Sequence, residues 1–288
     1  MSIYEHVGVV GSGTMGRGIA ESILRSGARV SLYDTRPAAL ADARASIERN
    51  LAKSVQKGQA EATDAAAWLE ALTLVDSPEG LAGPGLVIEA VPEVLQIKLE
   101  VLRAIEAVVG PEAVIASNTS SIPITRLAEA LERPERFLGL HFFNPVPRMG
   151  LAEVITPSST RVDVTEQVRR FVAEQLAKTP IVVEDRPGFV VNFLLVPYLL
   201  SAMRMHEQGY ASAEDIDAGM RLGCGHPMGP LQLSDLIGLD VVAHIGDAIH
   251  SETGDPAFLV PDGLRRMLEA GCLGKKSGSG FYDYSTTA

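Results

Sequence analysis

A chain of 288 residues has the length of about two average domains, enough to bury a sizeable core without disulfides or metals. With 46% hydrophobic and 21% charged residues, and with Gly and Pro scattered, it is not disordered, collagen-like or low-complexity, and no internal repeat is visible. The formal charge of −11 excludes the basic footprint that nucleic acid or an anionic membrane demands, yet leaves room for a small anionic ligand held by local Lys residues and helix N-termini.

The first six residues carry neither a basic stretch nor an apolar one and lead directly into the run Val7-Gly8-Val9-Val10, so no export signal is expected. The longest apolar stretch, 189–203, contains Asn192 and Pro197 and falls short of a membrane span. Two cysteines, Cys224 and Cys272, fit neither a disulfide framework nor a zinc site, which points to a reducing cytoplasm and to no metal.

Short apolar runs predict strands at 7–10, 28–33, 86–91, 113–116, 137–141, 152–156 and 181–184. Alternation with helical segments implies an α/β fold, a Rossmann-type and mainly parallel sheet. Residues 38–72 are too long for one crossover helix. With Leu40, Ile47, Leu51, Val55, Trp68 and Leu72 as apolar positions and a break at Lys57-Gly58-Gln59, they read as a helical hairpin inserted into, and projecting from, the sheet domain. After Asp185-Arg186-Pro187-Gly188 only helices are expected, at 189–207, 213–222, 231–250 and 263–270. The organisation is therefore a dinucleotide-binding domain over 1–185 and an all-helical domain over 186–288.

Gly11-Ser12-Gly13-Thr14-Met15-Gly16 follows the first strand and opens a helix. Its glycines permit a tight turn and let the backbone of Gly11, Gly13, Thr14, Met15 and Gly16 approach a pyrophosphate. Alone the pattern is weak, since such a turn also packs a helix on a strand without any ligand. Asp34, at the end of the second strand, strengthens it by placing a carboxylate where an adenosine ribose is held.

Two further polar clusters, Ser117-Asn118-Thr119-Ser120-Ser121 and His141-Phe142-Phe143-Asn144-Pro145, also follow strands. Removing a hydride from an alcohol carbon releases an O–H proton, and a His titrating near neutrality is a suitable acceptor. His141 is the base on this reading, with Glu153 as the carboxylate that sets its tautomer. A His between Leu140 and Phe142 is otherwise simply a satisfied core residue, the reading preferred for His6, His206, His244 and His250.

The ordered motifs GSGTMG, SNTSS, HFFNPVP, LAEV, PGFVVN, LLVPYL, HPMGP, LIGLD and GKKSGSGFY resemble the L-3-hydroxyacyl-CoA dehydrogenase family over residues 7–284. The length is similar to that of stand-alone bacterial 3-hydroxybutyryl-CoA dehydrogenases. The resemblance implies NAD as cofactor, His141 as general base oriented by Glu153, Ser120 on the substrate oxygen and Asn192 completing the site. It also implies dinucleotide contacts from Glu93, Lys98, Asn144 and Lys276, and acyl-CoA contacts on the hairpin from Lys57 and from Asn50, which stands where relatives have Ser. Lys98 equally invites pairing with Glu93 or Glu100 along its own helix. An (S)-3-hydroxyl substrate and a homodimer formed through the helical domain are further implications. Phe193 departs from the pattern, since many relatives carry Arg after the PGFxxN asparagine. Two alternatives accompany this reading: a dehydrogenase of a carrier-protein thioester or a non-thioester hydroxy acid, and a non-catalytic NAD-binding structural protein of the same fold.

Overall fold

The apolar runs at 86–88 and 114–116 are too hydrophobic for a sheet with one wet face, and both become interior strands covered on both sides. The computed structural model describes residues 2–285; Met1 and 286–288, the outermost residues of the two expected domains, lie outside the described residues. The chain divides into two compact units, Met1–Asp185 and Arg186–Ala288.

The first unit runs β1 (His6–Val10), α1 (Thr14–Arg25), β2 (Arg29–Tyr33), α2 (Pro37–Gln56), α3 (Ala62–Glu70), β3 (Leu72–Val75), β4 (Leu86–Glu89), α4 (Leu95–Val108), β5 (Val114–Ser117), α5 (Ile124–Ala128), β6 (Phe137–Phe142), β7 (Leu151–Thr156), α6 (Val162–Arg170) and β8 (Thr179–Glu184). Its sheet has the order β3-β2-β1-β4-β5-β6-β7-β8. Every neighbouring pair is parallel except β6 with β7. The chain direction of crossover reverses between β1 and β4, the switch point outside which such sheets bind their ligands.

Strand β3 was not expected, and Leu72, read as a helical position, is its first residue. Four residues paired on one side only, with β2, leave too short an apolar pattern to be distinguished from the end of the preceding helix. The helical hairpin is present as α2 and α3, and one stripe of α2 anchors it. Leu40, Ala43, Ile47 and Leu51, spaced three and four apart, enter the core that also holds Ile19, Ile23 and Leu24 of α1. Arg25 fastens it further by donating to Ser54 Oγ at 2.7 Å while its guanidinium lies 5.6 Å from the centre of the Trp68 ring.

The second unit is helical, with α7 (Val191–Glu207), α8 (Ala213–Cys224), α9 (Pro230–Ile237), α10 (Leu239–Thr253) and α11 (Asp262–Glu269). The helix expected at 231–250 is two helices. Gly238, at φ +107°, takes a backbone conformation that L side chains rarely adopt and turns the chain between α9 and α10. The start expected at 189 shifts to Val191 because Gly188 and Phe189 both have positive φ. Among the described residues no helix is long and apolar enough to cross a membrane.

Two buried carboxylates organise this unit. Asp217 accepts hydrogen bonds from the backbone N–H groups of Leu231 and Gln232, at 2.8 and 2.9 Å, and from Tyr282 Oη at 2.9 Å. It thereby caps the first turn of α9, which has no cap of its own. Asp235 accepts from the N–H groups of Phe281 and Tyr282 and from Tyr284 Oη, so the terminal segment folds back on α9. A side chain at Gly229 would collide with Asp217, and one at Gly280 with Asp235. These glycines of the HPMGP and GKKSGSGFY motifs thus serve packing.

Gly280 is outside the positive-φ set, so Gly280→Ala tests sterics alone, and the buried Asp235 carboxylate has no room to retreat. The expected cost is about 1–3 kcal/mol. Gly219, in α8 with open space where a methyl would go, is the opposite case, and Gly219→Ala should stabilise by about 0.5–1 kcal/mol. Urea denaturation followed by circular dichroism reads both, and an unchanged midpoint for Gly280→Ala would remove the packing role given to Asp235.

Candidate active site

The glycine loop leaves β1 at Val10 and enters α1 at Thr14. Gly11, at φ +97°, donates its N–H to Tyr33 O at 2.8 Å, and a Cβ there would come within 2.6 Å of Ala90 O. A Cβ at Gly16 would run into Gly11 O, so the helix seats on the strand only through glycine. Gly13 is the N-cap residue, exposed, without a side-chain cap and with nothing within 4 Å of where a Cβ would stand. The first turn of α1 is thus left without a side-chain cap for its N–H groups, the arrangement that receives a phosphate.

Asp34 lies just past β2 and is 8% exposed. One carboxylate oxygen accepts from Ser12 N at 3.0 Å and Ser12 Oγ at 2.7 Å, the other from Arg36 N at 3.0 Å and Arg36 Nε at 3.3 Å. Burial pushes its pKa up, but these donors from Ser12 and Arg36 outweigh burial and hold it at about 2. The group is an anion at neutral pH and repels a phosphate placed beside it. A loop of glycines against an open helix N-terminus, closed by an ionised carboxylate, fits an NAD pyrophosphate and ribose.

At the carboxyl end of β5, Thr119, Ser120 and Ser121 wrap around one oxygen of Glu93. That oxygen accepts from Thr119 Oγ1 at 2.6 Å, Ser120 N at 2.8 Å, Ser121 N at 2.9 Å and Ser121 Oγ at 2.9 Å, with Ser120 Oγ at 3.3 Å. The other oxygen is 3.3 Å from Lys98 Nζ. Burial raises the Glu93 pKa, and the Lys98 charge with the three hydroxyl-bearing residues overcomes it, bringing the carboxyl down to about 2. Lys98, expected as a dinucleotide contact, is 1% exposed, and its Nζ lies 2.7 Å from Glu89 Oε1. Of the helical pairings expected for it, that with Glu93 forms; Glu100 instead accepts from Gln96.

His141 and Glu153 are directly opposite in the antiparallel pair β6–β7. Opposed residues project to the same face. His141 Nδ1 is accordingly 2.7 Å from Glu153 Oε2, with His141 6% and Glu153 0% exposed. A carboxylate acceptor puts the proton on Nδ1 and leaves Nε2 as the nitrogen for proton exchange with a substrate oxygen. Asn118 holds the neighbouring backbone, its Oδ1 accepting from Phe142 N at 2.9 Å.

The remaining residues distribute as follows. Asn144 stands in the turn after β6 and precedes a cis proline, Pro145. In the hairpin, Asn50 donates to Glu21 Oε2 at 2.9 Å, a tie between α2 and α1, and Lys57 is exposed as the C-cap residue of α2. Within the helical unit Asn192 is the second residue of α7 and buried, while Lys276 Nζ is bonded to both oxygens of Asp240 at 2.5 and 2.7 Å. Phe193, in place of the relatives' Arg, sets its ring 5.3 Å from that of Phe258. The four histidines read as core residues are not core: His6, His206 and His250 fall outside the buried set and His244 is exposed on α10. Sequence reasoning missed Glu89 and Asn118. A charged residue inside the apolar run Leu86-Val87-Ile88-Glu89-Ala90-Val91 was the available signal for the first.

Residues 6–186 match the NAD binding domain of the 3-hydroxyacyl-CoA dehydrogenases, and residues 188–284 match their C-terminal domain. A 3-hydroxybutyryl-CoA dehydrogenase of Mycobacterium tuberculosis is 45% identical over 281 residues, covering 97% of this chain and 98% of that one. The mitochondrial hydroxyacyl-coenzyme A dehydrogenase of Sus scrofa is 40% identical, covering 98% and 92%. The crystal structure of (S)-3-hydroxybutyryl-CoA dehydrogenase from Ralstonia eutropha superposes with a TM-score of 0.94 at 41% identity, covering 98% of this chain and 100% of that one. Two domain matches end to end, on a sheet that carries an open glycine loop and a His–Glu pair, establish that the chain belongs to the 3-hydroxyacyl-CoA dehydrogenase family.

Proposed function

We propose that this protein interconverts a short-chain (S)-3-hydroxyacyl-CoA and the corresponding 3-ketoacyl-CoA with NAD, in the cytoplasm, as a homodimer. The His141–Glu153 pair, on the same sheet as the dinucleotide loop, carries the reading. A buried carboxylate set against one imidazole has a chemical purpose when that imidazole must become a cation.

Gly11, Gly13, Thr14, Met15 and Gly16 hold the pyrophosphate and Asp34 the adenosine ribose, with Glu93, Lys98, Asn144 and Lys276 as the contacts implied for the rest of the dinucleotide. NAD bound there supplies the acceptor for the C3 hydride. Nε2 of His141 takes the proton of the 3-hydroxyl, and Glu153 stabilises the imidazolium as it forms. In the reverse direction His141 returns that proton to the ketone oxygen. Ser120 and Asn192 donate to the oxygen as negative charge develops on it, so their contribution is electrostatic and positional. Lys57 and Asn50 on the hairpin are the assigned contacts for the CoA moiety. Dimerisation through the helical unit is supported by the apolar side chains it exposes, Leu222 at 84%, Leu194 at 68% and Leu236 at 53%.

Three outcomes test the proposal. His141→Ala should lower the turnover of acetoacetyl-CoA with NADH by roughly 100-fold or more while leaving NADH affinity nearly intact, with Glu153→Gln losing less. Wild-type turnover in His141→Ala would refute the base assignment, and no turnover in the wild-type protein would leave the non-catalytic reading standing.

The cofactor preference follows from Asp34, ionised at pH 7 because its pKa is held at about 2. kcat/KM should favour NADH over NADPH. A preference for NADPH would give the choice to Arg36, whose side chain is 72% exposed beside the same carboxylate.

Lys57→Ala should raise KM for acetoacetyl-CoA with little change in kcat, because a remote phosphate contact is made equally in ground and transition states. An N-acetylcysteamine thioester, which has no phosphate, should be indifferent to the substitution. Far higher wild-type activity on a carrier-protein-bound 3-ketoacyl group would replace CoA by that carrier.

A further inference from the structure

Lys98 is among the largest fully buried side chains of the described residues, and it sits between two carboxylates. Its Nζ is 2.7 Å from Glu89 Oε1, 3.3 Å from Glu93 Oε2 and 3.3 Å from Val91 O. Glu89, 0% exposed at the end of β4, also accepts from Val91 N at 2.7 Å and from Ser117 Oγ at 2.5 Å. Glu93 accepts from Thr119, Ser120 and Ser121 in turn. The three charges thus connect the ends of β4 and β5 to the loop that carries Ser120. At 1% exposure the ammonium has Glu89, Glu93 and the Val91 carbonyl as its principal partners. Its donors are used inside the protein.

We propose that Lys98 is a positioning residue for the substrate-oxygen donor: held by Glu89, it keeps Glu93 anionic and in place, and Glu93 in turn sets the backbone and hydroxyl of Ser120. The assignment of Ser120 to the substrate oxygen rests on the function proposed above. The physical reason is charge balance in a low-dielectric interior. One ammonium between two carboxylates keeps both ionised, whereas two carboxylates alone repel, and one takes up a proton. A protonated Glu93 still offers a carbonyl oxygen to the donors of 119–121, but a neutral acceptor holds them more weakly than a carboxylate does.

The variants Lys98→Met and Lys98→Met with Glu89→Gln separate this role from packing and from ligand contact. Lys98→Met keeps the length of the side chain but strands two carboxylates, and Glu89→Gln removes the surplus charge while retaining an acceptor for Val91 N. In Lys98→Met, amide hydrogen exchange at 119–121 should accelerate about tenfold or more, and kcat with acetoacetyl-CoA should fall roughly 10- to 100-fold. The NADH dissociation constant, read by fluorescence, should change less than kcat. The double variant should recover most of both losses.

Three results would overturn the proposal: unchanged exchange in Lys98→Met, loss confined to NADH affinity, or a double variant no better than the single one. If Lys98→Met does not fold, Glu93→Gln leaves the Lys98–Glu89 pair whole and must show the same faster exchange at 119–121, with normal exchange counting against the role. Exchange is read without substrate. An inactive wild-type protein would therefore overturn the proposed reaction while the loop measurement still decides the role of Lys98.

Discussion

An ionised group buried at the end of a strand costs several kcal/mol unless donors or an opposite charge meet it there. The nucleotide-binding unit buries carboxylates just past β2, at the end of β4 and within β7, and each is met locally. Asp34 closes on Ser12 and Arg36, Glu89 on Lys98 and Ser117, and Glu153 on His141. These matches tie each loop to its neighbour, so the loops that would surround a dinucleotide and a substrate are cross-braced by the same charges that give the site its chemistry. Rigid placement and chemical poise have one cause.

Close backbone approach is the complementary device. Gly11 and Gly16 let the first loop press against Ala90 and against itself, and Gly229 and Gly280 let backbone come down on Asp217 and Asp235. In the first unit this leaves helix N–H groups open at Gly13. In the second the same closeness consumes them, since Asp217 satisfies the N–H groups that begin α9. Motifs of similar composition thus have different consequences: GSGTMG leaves an anion site, while HPMGP and GSGFY seal a core.

The helical hairpin shows how an element can be held firmly to the sheet domain while one of its faces stays in solvent. One stripe of α2 enters the core and Arg25 locks its far end to Ser54 and Trp68, leaving the opposite face, with Lys53 and Lys57, in solvent. Asn50 belongs to the locking side through Glu21, so of the two residues the resemblance assigns to the acyl carrier, Lys57 is the exposed one, at the end of α2.

By itself the sequence determined what depends on local pattern: a parallel α/β unit followed by helices, the strand–glycine–helix turn, Asp34 at the next strand end, and the polar clusters after β5 and β6. These are legible because period, turn chemistry and chain order act over a few residues. What depends on partners distant in the chain was decided only by the tertiary structure. Strand β3 exists because β2 offers it an edge, and Lys98 is internal because Glu89, nine residues earlier, is brought beside it by the turn from β4 into α4. His141 meets Glu153 because β7 runs antiparallel in the one register that places them opposite. A shift of one residue would send the carboxylate to the other face of the sheet, since side chains alternate along a strand, and no pattern within either strand encodes that choice.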